Sequence, residues 1–331
     1  MINRQLIRLK VVQLVYAYYK NEGKTLEAAE KEFLFSLSKT YELYHSLLLL
    51  MVSITHIAAR IVEVQQSRAR RLHQPDNIPT KFIQNRFVAQ LRNNEQLRAF
   101  QDKQTILWSE EDNFLRQLYI RIQEQDFYKE YLRKENNFYD EDRELWRKIY
   151  RHLLCDNDAL DEILEDNSIY WNDDKAIVDT FVLKTIRHFD EKKGPLNPLL
   201  PQFKDEEDQE FAVTLFRTTI RNEEYFRQLI AAQTQNWDLE RIATMDLIIM
   251  QIALAEITSF SSIPLSVSIN EYVEIAKMYS TPRSGSYING MLDTIAKRLI
   301  AEGKIVKPEP KEELDDVDDA LPPSQTENIN S

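Results

Sequence analysis

Apolar residues recur at intervals of three and four positions along most of this chain. Val11, Val15 and Tyr19 form one such stripe near the start, and Ile288 and Ile295 belong to another near the end. This spacing places the apolar side chains on one face of an α-helix. Alternating runs of β-branched residues joined by Asn-Gly or Asp-Gly turns, which are typical of β-hairpins, do not occur. The pattern therefore predicts an all-α fold.

Prolines mark the predicted ends of several helices, because proline removes a backbone donor and disfavours helical geometry in the preceding residue. They lie within residues 75–79 and 194–201 and at positions 264 and 282. Ser268, followed three positions later by Glu271, is a capping box that predicts a helix start after Pro264. Ser284 is the predicted N-cap of the last helix. Gly290 costs about 1 kcal/mol relative to alanine in that helix, which indicates close helix packing or the approach of a ligand.

The most apolar segment covers residues 47–61 and includes His56 and Arg60. A helix that crosses a bilayer needs about 20 consecutive apolar residues. The segment is shorter than that and carries two polar side chains. It therefore predicts a buried core helix and no membrane span.

Composition excludes several classes of enzyme. None of the five glycines opens a G-x-G-x-x-G loop, and the single cysteine, Cys155, excludes a disulfide framework and a cysteine-based zinc site. One cysteine is typical of a protein from a reducing cytoplasm. Glu42 and His45 form the one E-x-x-H pair, which is half of what a di-iron helical bundle needs. We expect no catalytic residue, no metal and no cofactor, and a small buried thiol at Cys155.

Charge is distributed unevenly along the chain. Residues 1–101 carry 15 basic and 8 acidic side chains, whereas residues 102–210 carry 16 and 28. The first segment is therefore expected to face a polyanion, and the second to be repelled by one. Residues 304–331 are acidic, hold four prolines and have few apolar residues, which predicts a disordered tail.

The C-terminal third carries a longer and more specific signal. It contains ERIATMDLIIMQIALAEI at 240–257, Ile263-Pro264, VSINEYVEIAK at 267–277 and YINGMLD at 287–293. This segment resembles the NusB family of transcription antitermination factors. Residues 211–233 are similar to the preceding helix pair of that family, and residues 8–19 and 31–39 to its first two helices.

The resemblance implies an all-α protein of two packed helical bundles without enzymatic activity. Family members bind the boxA sequence of nascent RNA together with the ribosomal protein NusE, and support transcription of rRNA operons. We accordingly expect a cytoplasmic protein that contacts single-stranded boxA-like RNA, NusE and the transcription elongation complex, and no membrane. The organisation predicted from the resemblance is N-terminal family helices at 1–44, a helical insertion at 45–205, the rest of the family domain at 206–303 and the acidic tail at 304–331.

The chain also shows an internal similarity between residues 141–154 and residues 207–220, with Trp171 aligned to Trp237. This similarity indicates either a partial repeat or a chance match of amphipathic helices.

The resemblance also assigns candidate site residues. Those expected to contact RNA are Arg4, Arg8, Ser284 and Tyr287, with Arg283 as a substitute for missing family arginines, and those expected to face the NusE partner are Tyr16 and Glu256. Glu256 ends an apolar helix, where a carboxylate could reach solvent at the rim of an interface. The chain departs from the family in having few arginines before the first helix and a glutamine, Gln251, where arginine is common.

Two alternatives to this function stay open. The protein could be an interaction scaffold that has lost boxA recognition, or an RNA-binding module related to rRNA methyltransferases, although no glycine-rich cofactor loop is present. Basic residues in the insertion offer a substitute for the missing arginines. We expect Arg68, Arg70 and Arg71 to extend the RNA path, unless they pair with the acidic segment inside the protein.

Overall fold

The computed structural model describes residues 1–21, 23–75, 77–103, 107–135, 138–234 and 242–308. Within these ranges the chain forms α-helices joined by short turns and 3₁₀ segments. The β-structure in them consists of one isolated parallel bridge between Ile2 and Phe203. The predicted all-α class is confirmed. The chain divides into two compact units, Met1–Arg221 and Asn222–Ser331, which are described separately below.

The first unit is built around one long helix and nine shorter ones. Among its described residues, these are α1 (Arg4–Lys20), α2 (Leu26–Arg71), α3 (Arg86–Arg92), α4 (Glu95–Gln101), α5 (Asp112–Glu124), α6 (Asp126–Arg133), α7 (Tyr139–Ile149), α8 (Asp158–Asn167), α9 (Lys175–His188) and α10 (Glu206–Arg221).

Helix α2 is the axis of this unit. Thr25 caps its N-terminus by accepting a hydrogen bond from the Ala28 amide at 3.2 Å. The apolar segment at 47–61 lies near its middle, and along its length the helix packs with α1, α3, α5, α9 and α10. The predicted core helix is therefore confirmed, although it is 46 residues long. By length and composition α2 could cross a membrane, but the burial of its apolar residues is typical of a core helix.

The predicted domain boundary at residues 44 and 45 falls inside α2, which continues through it without a break. The assignment of 45–205 as an insertion into a family domain stays a prediction. Residues 309–331 of the acidic tail, and Trp237 of the proposed repeat, lie outside the described residues.

The second unit contains four helices in its described part. These are α11 (Glu223–Ala231), α12 (Thr244–Ser259), α13 (Leu265–Tyr279) and α14 (Ser284–Ala301). Helix α12 is buried on nearly all sides because it packs against each of the other three. A helix that is apolar all round is a central helix, as its sequence indicates.

Proline positions predict the helix ends well, but two caps were assigned wrongly. Helix α2 ends before Pro75, and Pro282 separates α13 from α14. Helix α13 begins at Leu265 with Pro264 at the cap, so Ser268 lies inside the helix and its hydroxyl donates to Glu256. Ser284 is the first helical residue of α14 and not its N-cap. The two cap predictions are wrong because each serine hydroxyl donates to a carboxylate of α12, Ser268 to Glu256 and Ser284 to Asp246.

Candidate nucleic-acid interface

A buried carboxylate fixes the corner between α13 and α14. Asp246, in the first turn of α12, accepts hydrogen bonds from the Ser280 hydroxyl and, at 2.9 Å, from the Ser284 hydroxyl. The Thr281 and Ser284 hydroxyls lie 2.8 Å apart, which closes a small network around the turn. Three hydroxyl groups and one carboxylate thus hold the start of α14 in place.

This network changes the expected role of Ser284. Its side chain is 2% exposed and its hydroxyl is used by Asp246. The prediction that Ser284 contacts RNA through its side chain is therefore wrong. Its contribution is to position its neighbours on the first turn of α14. Sequence analysis missed Asp246 itself, for which the signal was an acidic residue inside an otherwise apolar helix.

Arg283 and Tyr287 lie on the solvent side of the same corner. They are four residues apart, and the Tyr287 amide donates to the Arg283 carbonyl at 3.3 Å, so their side chains leave one face of α14. Arg283 is exposed and forms no ion pair with a described residue. Tyr287 is 39% exposed, and partial burial together with the negative charge of Asp246 raises its pKa. The ring is therefore neutral, partly supported by protein and open to a ligand on one side.

The surface continues one turn further along α14. Gly290 is exposed, and a Cβ added there would meet no atom within 4 Å. Close helix packing is therefore not the reason for this glycine. The other interpretation, room for an approaching ligand next to Tyr287, stays a prediction.

The two N-terminal arginines are engaged inside the first unit. Arg4 forms ion pairs with Glu207 and, at 3.2 Å, with Asp208 of α10. Arg8 is only 3% exposed and its guanidinium lies over the Phe211 ring, 5.5 Å from the centroid. Arg8 therefore cannot contact a phosphate in this structure, and Arg4 could do so only by leaving its acidic partners. Both arginines attach α1 to α10.

A third basic residue of α1 is used in the same way. Lys10 is 1% exposed and its ammonium lies 2.9 Å from the Asp174 carboxylate, which the Thr40 hydroxyl also contacts. Burial raises the pKa of Asp174, and the positive charge of Lys10 opposes that shift. The pair joins α1 and α2 to the start of α9. The opening basic stretch of the chain is thus structural along most of its length.

The two residues expected to face a protein partner differ in exposure. Tyr16 is 37% exposed, and the Lys20 ammonium lies 5.7 Å from the centre of its ring. Glu256 is completely buried and accepts hydrogen bonds from Ser268 at 2.7 Å and Tyr272 at 2.9 Å. The expectation that Glu256 reaches solvent is wrong because α13 covers the end of α12. Gln251 is buried as well, at 1% exposure.

Cys155 and His45 both have pKa values shifted by burial. Burial raises the pKa of the Cys155 thiol to about 12, so it is a poor nucleophile. His45 is buried, stacks on Phe100 at 4.5 Å between ring centres, and has a pKa lowered by burial. No group of three His, Cys, Asp or Glu side chains suited to a metal ion occurs in the described ranges.

The basic residues at the end of α2 behave differently from those of α1. Arg68, Arg70 and Arg71 are all exposed, and none forms an ion pair with a described residue. The alternative in which they pair with the acidic segment inside the protein is therefore not observed. Arg60, which lies eight residues before Arg68 on the same helix, forms an exposed ion pair with Asp112 at 3.2 Å.

Comparison with known proteins decides the family. The transcription antitermination protein NusB of Salinibacter ruber is 35% identical over 132 residues, which cover 38% of this chain and 82% of that protein. The chain belongs to the NusB family. A family model described as the NusB family matches residues 178–297.

A second curated NusB protein agrees with this assignment, and a solved structure is similar to part of the chain. The transcription antitermination protein NusB of Koribacter versatilis is 40% identical over 100 residues, covering 30% of this chain and 68% of that protein. A solved structure titled T. maritima NusB is 30% identical and covers 38% of this chain and 80% of that chain, with a TM-score of 0.28.

The NusB family model matches the C-terminal part of the chain. It begins within α9 and includes Glu256, Arg283, Ser284 and Tyr287. It also includes residues 178–205, which the sequence analysis placed in the insertion. Residues 1–177, with Arg4, Arg8 and Tyr16, lie outside it. The resemblance noted for residues 8–19 and 31–39 therefore stays a prediction.

Proposed function

We propose that this protein is a transcription antitermination factor that binds single-stranded boxA-like RNA at the corner between α13 and α14. It acts in the cytoplasm, with the ribosomal protein NusE and the elongation complex, during rRNA transcription, and catalyses no reaction. The observation that carries the proposal is the exposed pair Arg283 and Tyr287, held by a buried network inside the segment that matches the NusB family.

The chemistry of this corner suits an unpaired nucleotide. Single-stranded RNA is recognised by stacking of bases on aromatic rings and by hydrogen bonds to the base edges. Tyr287 offers the ring, and Arg283 offers a guanidinium four residues away for the adjoining phosphate. The Asp246 network orders the turn before RNA arrives, which lowers the entropy lost on binding.

NusE binding is proposed to involve the exposed ring of Tyr16, since aromatic residues at a partly exposed position are typical interface anchors. Glu256 has no place in this contact because α13 covers it. Glu256 instead stabilises the core of the second unit, where it joins α12 to α13.

The test is equilibrium binding of the full chain to a fluorescent boxA RNA, with and without NusE. Tyr287→Ala should weaken RNA binding by about 5- to 150-fold, the range for loss of one base stack. Arg283→Gln should reduce the slope of log affinity against log salt by about 0.7, as expected for one single-strand phosphate contact. The matched control is Tyr225→Ala, which removes a ring of 41% exposure from α11 of the same unit.

Equal binding by the Tyr287 and Tyr225 variants would reject this surface as the RNA site. A second candidate function is an interaction scaffold without boxA recognition, which applies if the wild-type protein binds no boxA RNA. The observation that favours the scaffold is the inward placement of Arg4, Arg8 and Lys10, which leaves α1 with little charge for phosphates. NusE binding by a wild-type protein that binds no boxA RNA would support it.

A further inference from the structure

Five exposed arginines lie on α2 and α3 in the first unit. Arg60, Arg68, Arg70 and Arg71 lie on the second half of α2, and Arg92 lies at the end of α3. All five are exposed. Asp112 is the one described acid that pairs with any of them, through Arg60. The basic residues of α1 differ from these arginines, because Arg4, Arg8 and Lys10 contact acidic or aromatic side chains within the first unit.

A groove opens on the same side of α2. It lies between α2, α3 and the start of α5 and has a volume of about 520 Å³, within the range of about 300–1,000 Å³ for ligand sites. Arg60 and Arg92 line it, together with the exposed ring of His56. Its floor includes Trp108, whose indole nitrogen donates to the Ser46 carbonyl at 2.6 Å and so holds the ring in place.

The walls of the groove combine apolar and polar groups. Val52, Ile83 and Ala89 supply apolar surface, and the Gln101 side chain supplies an amide donor and acceptor. A planar base fits this combination, since its faces need apolar contact and its edges need hydrogen bonds. A purely acidic segment such as polyglutamate would use the arginines but would leave the apolar walls uncovered.

The arginines beyond the groove follow the axis of α2. At 1.5 Å per residue, Arg68 lies about 12 Å and Arg71 about 16 Å beyond Arg60 along the helix. Eleven residues at 100° each bring Arg71 to within about 20° of Arg60 around the axis, so both leave the same side. Arg68 and Arg70 leave the helix about 80° to either side of Arg60, so the positive charge flanks a line that runs from the groove to the last turn of α2.

We propose that this surface binds single-stranded RNA, with one base in the groove between α2 and α3 and the neighbouring phosphates on Arg68, Arg70 and Arg71. The proposal rests on the proposed function, because it enlarges the RNA contact of an antitermination factor. It differs in using residues 52–109, which lie outside the segment matched by the NusB family. Arginines at the C-terminal end of a helix also stabilise the helix by interacting with its dipole. The test therefore has to separate an effect on RNA binding from an effect on protein stability.

The first experiment measures the salt dependence of binding to an unstructured 20-nucleotide RNA that contains a boxA-like element. The triple variant Arg68→Gln, Arg70→Gln, Arg71→Gln should lose about 2 units of slope, at about 0.7 per phosphate contact. Between 50 and 200 mM salt, the wild type should therefore lose about 20-fold more affinity than the triple variant. The melting temperature is measured in parallel, because removing the three arginines also removes their favourable interaction with the helix dipole.

The matched control removes three exposed positive charges elsewhere in the same unit, through Arg133→Gln, Lys192→Gln and Lys193→Gln. It should keep the wild-type slope. A groove-filling variant, Ala89→Phe, tests the base site without changing charge, and should weaken binding by about 5- to 150-fold.

Each outcome decides the proposal. The proposal is wrong if the triple variant keeps the wild-type salt dependence of RNA binding. It is also wrong if the control variant loses as much of that salt dependence as the triple variant. Loss of binding to polyglutamate with unchanged RNA binding would assign the surface to an acidic protein instead. If Tyr287→Ala weakens RNA binding while the triple variant does not, the proposed function stands and this inference alone fails. Absence of RNA binding by the wild type would reject both.

Discussion

Glu256 gives the sharpest test of the structure, because exposure and burial predict opposite results for Glu256→Lys. As a rim residue, it would tolerate the reversal of charge with no loss of stability. In the structure it is fully buried and accepts hydrogen bonds from Ser268 and Tyr272 at 2.7 and 2.9 Å. The substitution should therefore damage the second unit.

The magnitude follows from the two hydrogen bonds and the buried charge. A hydrogen bond to a charged group contributes about 1.5–3 kcal/mol, so loss of both costs about 3–6 kcal/mol. The new ammonium group is buried without a carboxylate, which adds several kcal/mol. Domains have total stabilities of about 5–15 kcal/mol, so Glu256→Lys should leave α12 and its neighbours largely unfolded at 37 °C. Glu256→Gln keeps the shape and should cost less.

The assay is hydrogen exchange of the full chain, read at the amides of α12 and α13, together with thermal unfolding followed by circular dichroism. The control is Glu274→Lys, which reverses an exposed charge on α13 and should change stability by less than about 1 kcal/mol. Wild-type protection in the Glu256→Lys variant, combined with a specific loss of NusE binding, would refute the burial argument.

Two further predictions concern buried charges. Lys10→Met should lower the free energy of unfolding by about 3–5 kcal/mol, because it leaves Asp174 buried without its partner, and Asp174→Asn in the same chain should recover part of the loss in a denaturant titration. Asp246→Ala should cost about 2–4 kcal/mol, since it removes the acceptor for two hydroxyl groups. Because it also releases the turn that positions Tyr287, it should weaken RNA binding in the same titration that is used for Tyr287→Ala.

Local features of the chain were predicted from the sequence with few errors. Periodicity predicted the helices, and Pro75, Pro264 and Pro282 lie where helices end or begin. These features depend on neighbouring residues, so a single sequence contains the information. The exposed positions of Arg283 and Tyr287 also follow from the helical pattern near Pro282.

Long-range pairing could not be predicted in this way. The partners of Arg4, at Glu207 and Asp208, are about 200 residues away, and the partner of Lys10 is 164 residues away. Charge counts indicated that some basic residues would meet the acidic segment, but gave no means of choosing which. The structure pairs the basic residues of α1 and leaves those at the end of α2 exposed.

Buried polar side chains were misassigned for a related reason. Ser284 and Glu256 carry polar groups, which usually indicates exposure. Each is buried because a group from another helix satisfies it, Asp246 for Ser284 and Ser268 for Glu256. A polar residue inside an apolar helix indicates such a pairing, but the partner is identified only by the fold.

The central claim is that the basic residues of α1 hold the protein together and that RNA is bound elsewhere. The most direct measurement is the salt dependence of boxA RNA binding by the double variant Arg4→Ala, Arg8→Ala. We predict a slope equal to that of the wild type and a free energy of unfolding lower by about 1–3 kcal/mol, from the lost ion pairs and the contact with Phe211. A slope reduced by about 1.4, as two phosphate contacts require, with unchanged stability would contradict the account.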